Sequence, residues 1–170
     1  MSEEGIINKV QQSGLITIDL EDYFHSGEKV LFDIKNYLYE EIILKEKDFR
    51  GYLKEHNWKQ YAGKNVAITC SVDAIIPTWA YMLVATKLGF HANLVVFGTL
   101  KELHAKIFSH AIEQINTQNY TQSKVVIKGC GKLEVPVSAY VELTNKLLPF
   151  VSSIMYGEPC STVPVYKQLK

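Results

Sequence analysis

Cysteine is scarce in this sequence: three in 170 residues, at positions 70, 130 and 160, with no Cys-x-x-Cys pair. An odd count so widely spaced supplies no disulfide framework and none of the paired thiolates of a zinc ribbon. Net charge is lacking too. Eighteen Lys and Arg balance eighteen Asp and Glu, so there is no basic excess of the kind that marks a nucleic-acid or anionic-membrane surface. Neither a nucleic acid nor a membrane is expected as a partner. Long hydrophobic runs are missing: a stretch such as Trp79 to Ala85 falls far short of the ~20 residues that span a bilayer. The first residues, Met1-Ser-Glu-Glu-Gly5, lack the basic start and apolar run of a secretory signal. The expected location is therefore cytoplasmic, where thiols stay reduced. No glycine-rich phosphate loop is present, and Gly129-Cys130-Gly131 is too short for a nucleotide fingerprint. No low-complexity tract, Pro/Gly/Ser linker or internal repeat stands out, so one domain over residues 1–170 is expected.

What is present is an ordinary globular composition, 47% apolar and 21% charged, on a chain long enough to bury a core. A short helix is expected within residues 1–13. Leu15 to Leu20, Lys29 to Ile34 and Tyr39 to Lys45 read as strands from their β-branched, alternating character, with Asn36 at a turn. These early strands are expected to run antiparallel. Residues 47–58 read as an amphipathic helix capped by Asp48. The pattern then becomes regular. Strands at 65–70, 93–97 and 124–128 are each followed by a helix. Pro77 opens the first, which ends before Gly89. Thr99 and Glu102 form a capping box for the second. Pro136 and Ser138 introduce the third, which Pro149 shortens or kinks. The tail from Tyr156 reads as irregular. Three strand–loop–helix units imply parallel strands with helical crossovers. The expected fold class is α/β, a three-layer sandwich with a mixed, partly parallel sheet.

The chemical lead is the cysteines. Ligands of open α/β sheets bind beyond the carboxyl ends of the strands. Cys70 ends one predicted strand and Cys130 follows another by two residues, both ahead of a helix N-terminus, which favours thiolate. Cys160 reaches the same edge if residues 153–160 run back along the sheet. Three thiolates from separate loops suit zinc or an iron–sulfur cluster with an open position. Asp73 and Glu158 are the carboxylates placed to complete the set. The expected metal residues are thus Cys70, Cys130, Cys160, Asp73 and Glu158. Two other readings stay open: a thiol-dependent enzyme using Cys70 or Cys130, with Lys128, Lys132 or a histidine as the nearby cation, and a non-catalytic interaction module with buried structural cysteines. Asp19, Glu21 and Asp22 form an acidic cluster whose plainer reading is a solvated loop face, and lone His25, His56 and His91 give no ligand pattern. His104 and His110, six apart on one helix, do not share a face. Oligomeric state, substrate and the choice of metal are not encoded in any readable pattern.

Longer motifs carry a resemblance. Gly14-Leu-Ile-Thr-Ile-Asp-Leu20, Leu31-Phe-Asp-Ile34, Leu44-Lys-Glu-Lys-Asp-Phe-Arg50, the segment from Thr69 to Tyr81, Lys128-Gly-Cys-Gly131 and the segment from Ser153 to Pro164 together resemble the bacterial family of unknown function numbered 2480. The resemblance covers nearly the whole chain. All three cysteines fall inside these motifs. The resemblance further implies a setting near iron–sulfur cluster assembly, with assembly proteins as partners and a metal- or cluster-handling role.

Overall fold

The computed structural model describes residues 14–24, 27–129 and 131–169. The helix expected within 1–13, His25 and Cys130 lie outside the described residues. The chain forms two compact units: unit 1 is Met1–Phe24 with Phe108–Lys170, and unit 2 is His25–Ile107. In sequence, unit 2 is thus inserted into unit 1.

Unit 2 holds β2 (Lys29–Asp33), a 3-10 turn Ile34–Tyr37, α1 (Glu46–Glu55), a 3-10 turn Trp58–Tyr61, β3 (Asn65–Thr69), α2 (Thr78–Leu88), β4 (Leu94–Phe97) and the start of α3 (Leu100–Glu113). Its three strands are all parallel in the order β2-β3-β4. The central strand β3 is buried on both faces, which is why its sequence reads as a short apolar run rather than an alternation. Phe32, Val66 and Ile68 cover one sheet face and pack against Phe49 and Leu53 of α1 and Ala80, Val84 and Leu88 of α2. The spacing of four on each helix sets these side chains on one stripe.

Unit 1 holds β1 (Leu15–Asp19), a 3-10 turn Leu20–Tyr23, the end of α3, a 3-10 turn Thr117–Tyr120, β5 (Lys124–Lys128), α4 (Val137–Leu147), β6 (Ser153–Glu158) and β7 (Ser161–Lys167). Its strand order is β1-β5-β6-β7, with β7 alone antiparallel. Ile18, Val125, Ile127 and Ile154 pack here against Phe108 and Ile112 of α3 and Ala139, Leu143 and Leu147 of α4.

The two units repeat one another. Helix α2 recurs as α4 at an offset of 59 residues (137 − 78), and β3 recurs as β5 at the same offset (124 − 65). The buried residues follow: Phe49 and Leu53 match Phe108 and Ile112, and Ala80, Val84 and Leu88 match Ala139, Leu143 and Leu147. Strand register is conserved as well. Asn65 pairs with Leu94 as Lys124 pairs with Ser153, and Lys29 pairs with Asn65 as Leu15 pairs with Lys124. The first strands are offset by only 14 residues (29 − 15), because the whole of unit 2 intervenes between β1 and the rest of unit 1. Gly98 and Gly157, each at the end of its third strand, both take a positive φ (134° and 116°), a conformation that only glycine adopts without strain.

The α/β class and the partly parallel pairing are as expected. Several local expectations are corrected. Residues 39–45 form a turn closed by an isolated Tyr39–Ile43 bridge rather than a strand. The early strands β1 and β2 are parallel to their neighbours. Lys45, not Asp48, occupies the N-cap of α1. The tail is a β-hairpin. An internal repeat is present where none was expected. Among the described residues no helix is long and apolar enough to cross a membrane.

Candidate functional site

The carboxyl ends of the strands carry the polar chemistry of both units. In unit 1, Asp19 ends β1 and its Oδ1 accepts the Glu21 N–H at 3.0 Å. Its other oxygen, Oδ2, meets Lys128 Nζ at 3.1 Å, and the same ammonium lies 3.6 Å from Glu158 Oε1. Parallel pairing explains the triad. Asp19 lies opposite Lys128 on β1 and β5, and β6 runs alongside β5 to end at Glu158. The hydrogen bond to Asp19, together with the charges of Asp19 and Glu158, raises the Lys128 pKa above its ordinary value. Glu21 is turned inward along this edge. Its carboxylate accepts the backbone N–H of Gly131 and, at 3.1 Å, that of Lys132. Of the acidic group expected to be a solvated loop face, Asp19 is engaged by a lysine and Glu21 by the loop after β5, while Asp22 is exposed. Tyr140 Oη donates to the Gly129 carbonyl at 3.0 Å and fixes the start of that loop.

Unit 2 presents the equivalent edge with different chemistry. Asp33, the counterpart of Asp19, accepts the Lys35 N–H at 3.0 Å and the Ser71 N–H at 3.1 Å. Burial pushes the Asp33 carboxyl up, but hydrogen bonds from the Ser71 side chain, the Lys35 N–H and the Ser71 N–H outweigh it and hold the pKa below the ordinary value. Cys70 follows β3 directly. It is half-buried, and its thiol donates to the Val72 carbonyl at 3.6 Å. Burial, with the nearby Cys70 and Asp33, pushes the Tyr81 phenol up. Where unit 1 has Lys128 at the end of β5, unit 2 has Thr69 at the end of β3.

A family model described as protein of unknown function (DUF2480) matches residues 4–168. The chain belongs to the DUF2480 family. No curated protein and no solved structure matches it.

In this DUF2480 protein the expected site residues divide between the units. Glu158 and Cys160 belong to unit 1, where both are exposed at the β6–β7 turn. Cys70 and Asp73 belong to unit 2, and Asp73 is exposed in the loop after β3. Among the described residues no group of three or more His, Cys, Asp and Glu side chains is arranged to hold a metal ion, a statement that does not extend to Cys130. Neither Glu21 nor Tyr140 carries a signature of its role in its own local sequence. The recurring Pro-x-x-Ala-Tyr at Pro77 to Tyr81 and Pro136 to Tyr140 was the available signal for both edges.

Proposed function

We propose that this DUF2480 protein binds a metal ion or an iron–sulfur cluster at the carboxyl end of the unit 1 sheet, with Cys130 and Cys160 as thiolate ligands and Glu158 as a carboxylate ligand. The observation that carries the reading is the parallel pairing of β5 with β6. Strands that run side by side in one direction end at the same edge. In sequence Cys130 stands two residues beyond the end of β5 and Cys160 two residues beyond the end of β6. Strand β6 thus returns along the sheet after α4, parallel to β5. Cys70 and Asp73, in the other unit, are left out of the set. Thiolates select zinc or iron–sulfur clusters over hard cations. A structural zinc site closes with four protein ligands. Two thiolates and one carboxylate leave a position open, which suits a protein that holds and hands on a metal or cluster, as an accessory to iron–sulfur assembly would.

The test is metal content per chain and visible spectrum of protein purified without oxygen, for the native protein and for Cys70→Ser, Cys130→Ser and Cys160→Ser. Stoichiometric zinc, or iron with broad visible absorbance, is expected in the native protein and in Cys70→Ser, and is lost in the other two. A folded native protein without metal overturns the proposal. So does metal retained in both Cys130→Ser and Cys160→Ser.

A further inference from the structure

Strand β4 of unit 2 is the repeat counterpart of β6 in unit 1, with the same register to its inner neighbour. The two strands differ on the outer side. There β6 is covered by the antiparallel strand β7, whereas the unit 2 sheet ends at β4. Among the described residues no strand pairs with that outer edge.

The side chains register the difference. Phe97 on β4 is 70% exposed, and its counterpart Tyr156 on β6 is 40% exposed. Val95 is half-buried, where its counterpart Ile154 is fully buried at 1%. The ring placement itself is alike. Phe97 meets Tyr81 edge-on at 5.2 Å, and Tyr156 meets Tyr140 edge-on at 5.6 Å. The cover, not the local packing, is what unit 2 lacks.

Beyond its short length of four residues, the β4 edge lacks two usual guards. Exposed edges are commonly protected by charge or proline. Edge strand β7 carries Pro164 and Lys167, and edge strand β2 carries Lys29 and Asp33. From Asn93 to Thr99 there is neither a charge nor a proline. Exposed Met82 of α2 adds apolar surface in the same unit.

We infer that two copies of this chain associate through their β4 edges, the two strands running antiparallel to give one continuous six-stranded sheet. A two-fold axis between identical edges sets the strands antiparallel, which is the orientation β7 takes on β6, and isologous two-fold dimers are the commonest assembly. An uncharged strand meets no like charge when placed against itself. Main-chain hydrogen bonds supply the pairing, as in strand addition to an open sheet, and Phe97 of each copy gains the cover that Tyr156 already has. The inference is independent of the metal proposal, since it uses no residue of unit 1 as a ligand.

The experiment is sedimentation velocity over a range of concentrations on the full chain, with Phe97→Lys as the disrupting variant and Val163→Lys on β7 as the control. Circular dichroism confirms folding of each. The native protein and Val163→Lys are expected to sediment as dimers and Phe97→Lys as a monomer. Amide exchange at Val95 to Phe97 is expected to be slower in the native dimer than in Phe97→Lys. A native protein that is monomeric throughout overturns the inference. A dimer that survives Phe97→Lys with β4 amides exchanging at an unchanged rate also overturns it, and places any association elsewhere.

Discussion

His56 lies between two tyrosine hydroxyls, with Tyr37 Oη 3.0 Å from Nδ1 and Tyr61 Oη 3.1 Å from Nε2. Phe32 and Trp58 pack against the same imidazole. In unit 1 the corresponding tyrosines, Tyr23 and Tyr120, approach each other directly, Oη to Oη at 3.5 Å, and the position of His56 is taken by Ile115. The Tyr120 hydroxyl and burial push the Tyr23 phenol up to about 12. Burial lowers the His56 pKa below its ordinary value, so the folded protein holds the imidazole neutral more firmly than the unfolded chain does. Below the ordinary histidine pKa of about 6.5 the unfolded chain binds the extra proton, and stability falls as pH drops through that range. In urea unfolding at a series of pH values, His56→Gln is expected to flatten the slope just below that value, and an unchanged slope would remove His56 as its source. The histidine gave no signal in the sequence because its partners arrive from the 3-10 turns on either side of α1. Asp19 and Glu21 were legible as a cluster, but the direction in which Glu21 points depends on Gly131, 110 residues away.

Thr99 and Glu102 close the capping box that their spacing announces, with Thr99 N–H donating to Glu102 Oε2 at 2.7 Å and Glu102 N–H to Thr99 Oγ1 at 3.3 Å. Thr99→Ala is expected to destabilise the protein by about 0.5–2 kcal/mol in urea unfolding. Glycines near the ends of β4 and β6 are constrained as well. A Cβ on Gly157 would sit 2.7 Å from the Ser161 carbonyl oxygen, whereas one on Gly98 would press on the Glu102 side chain that the capping box holds. Both glycines carry a positive φ, so Gly157→Ala and Gly98→Ala are each expected to cost about 1–3 kcal/mol in urea unfolding. A loss near zero at either position would show that the backbone there relaxes to accept a side chain. Elements with a local signature were legible: α2 between Pro77 and Gly89, α3 behind its capping box, and the buried strands β3 and β5. The hairpin β6–β7 was not. Pro159 and Pro164 suggested irregular chain, but Pro159 falls in the turn and Pro164 on an edge strand, the places where a missing N–H costs no ladder bond. The segment 39–45 failed in the opposite sense, since its apolar residues Ile42 and Ile43 are exposed on a turn.

The repeat escaped the sequence because its identities are scattered and its first strand is displaced. Phe49 and Phe108, Tyr61 and Tyr120, and Ala80 and Ala139 recur at one offset, yet between them the core accepts Leu53 for Ile112 or Val84 for Leu143, since size and apolarity satisfy the packing. Each unit has its own buried cluster. Leu143→Ala removes about 2–5 kcal/mol of core packing. It is expected to lower amide protection at Val125 to Ile127 and Ile154 while Val66 to Ile68 keep theirs, and an equal loss in both places would show one cooperative fold. The nesting of one unit inside the other also bears on synthesis. A chain made from its N-terminus exposes β1 first, but its partner β5 begins 109 residues later (124 − 15). By then every strand of unit 2 has left the ribosome, so unit 2 can close while β1 still waits. From Ile107 the partner strand β5 needs 21 more residues (128 − 107), roughly 1–4 s of translation at ~5–20 residues per second. Through that interval an unpaired β1 is the segment a nascent-chain chaperone would meet.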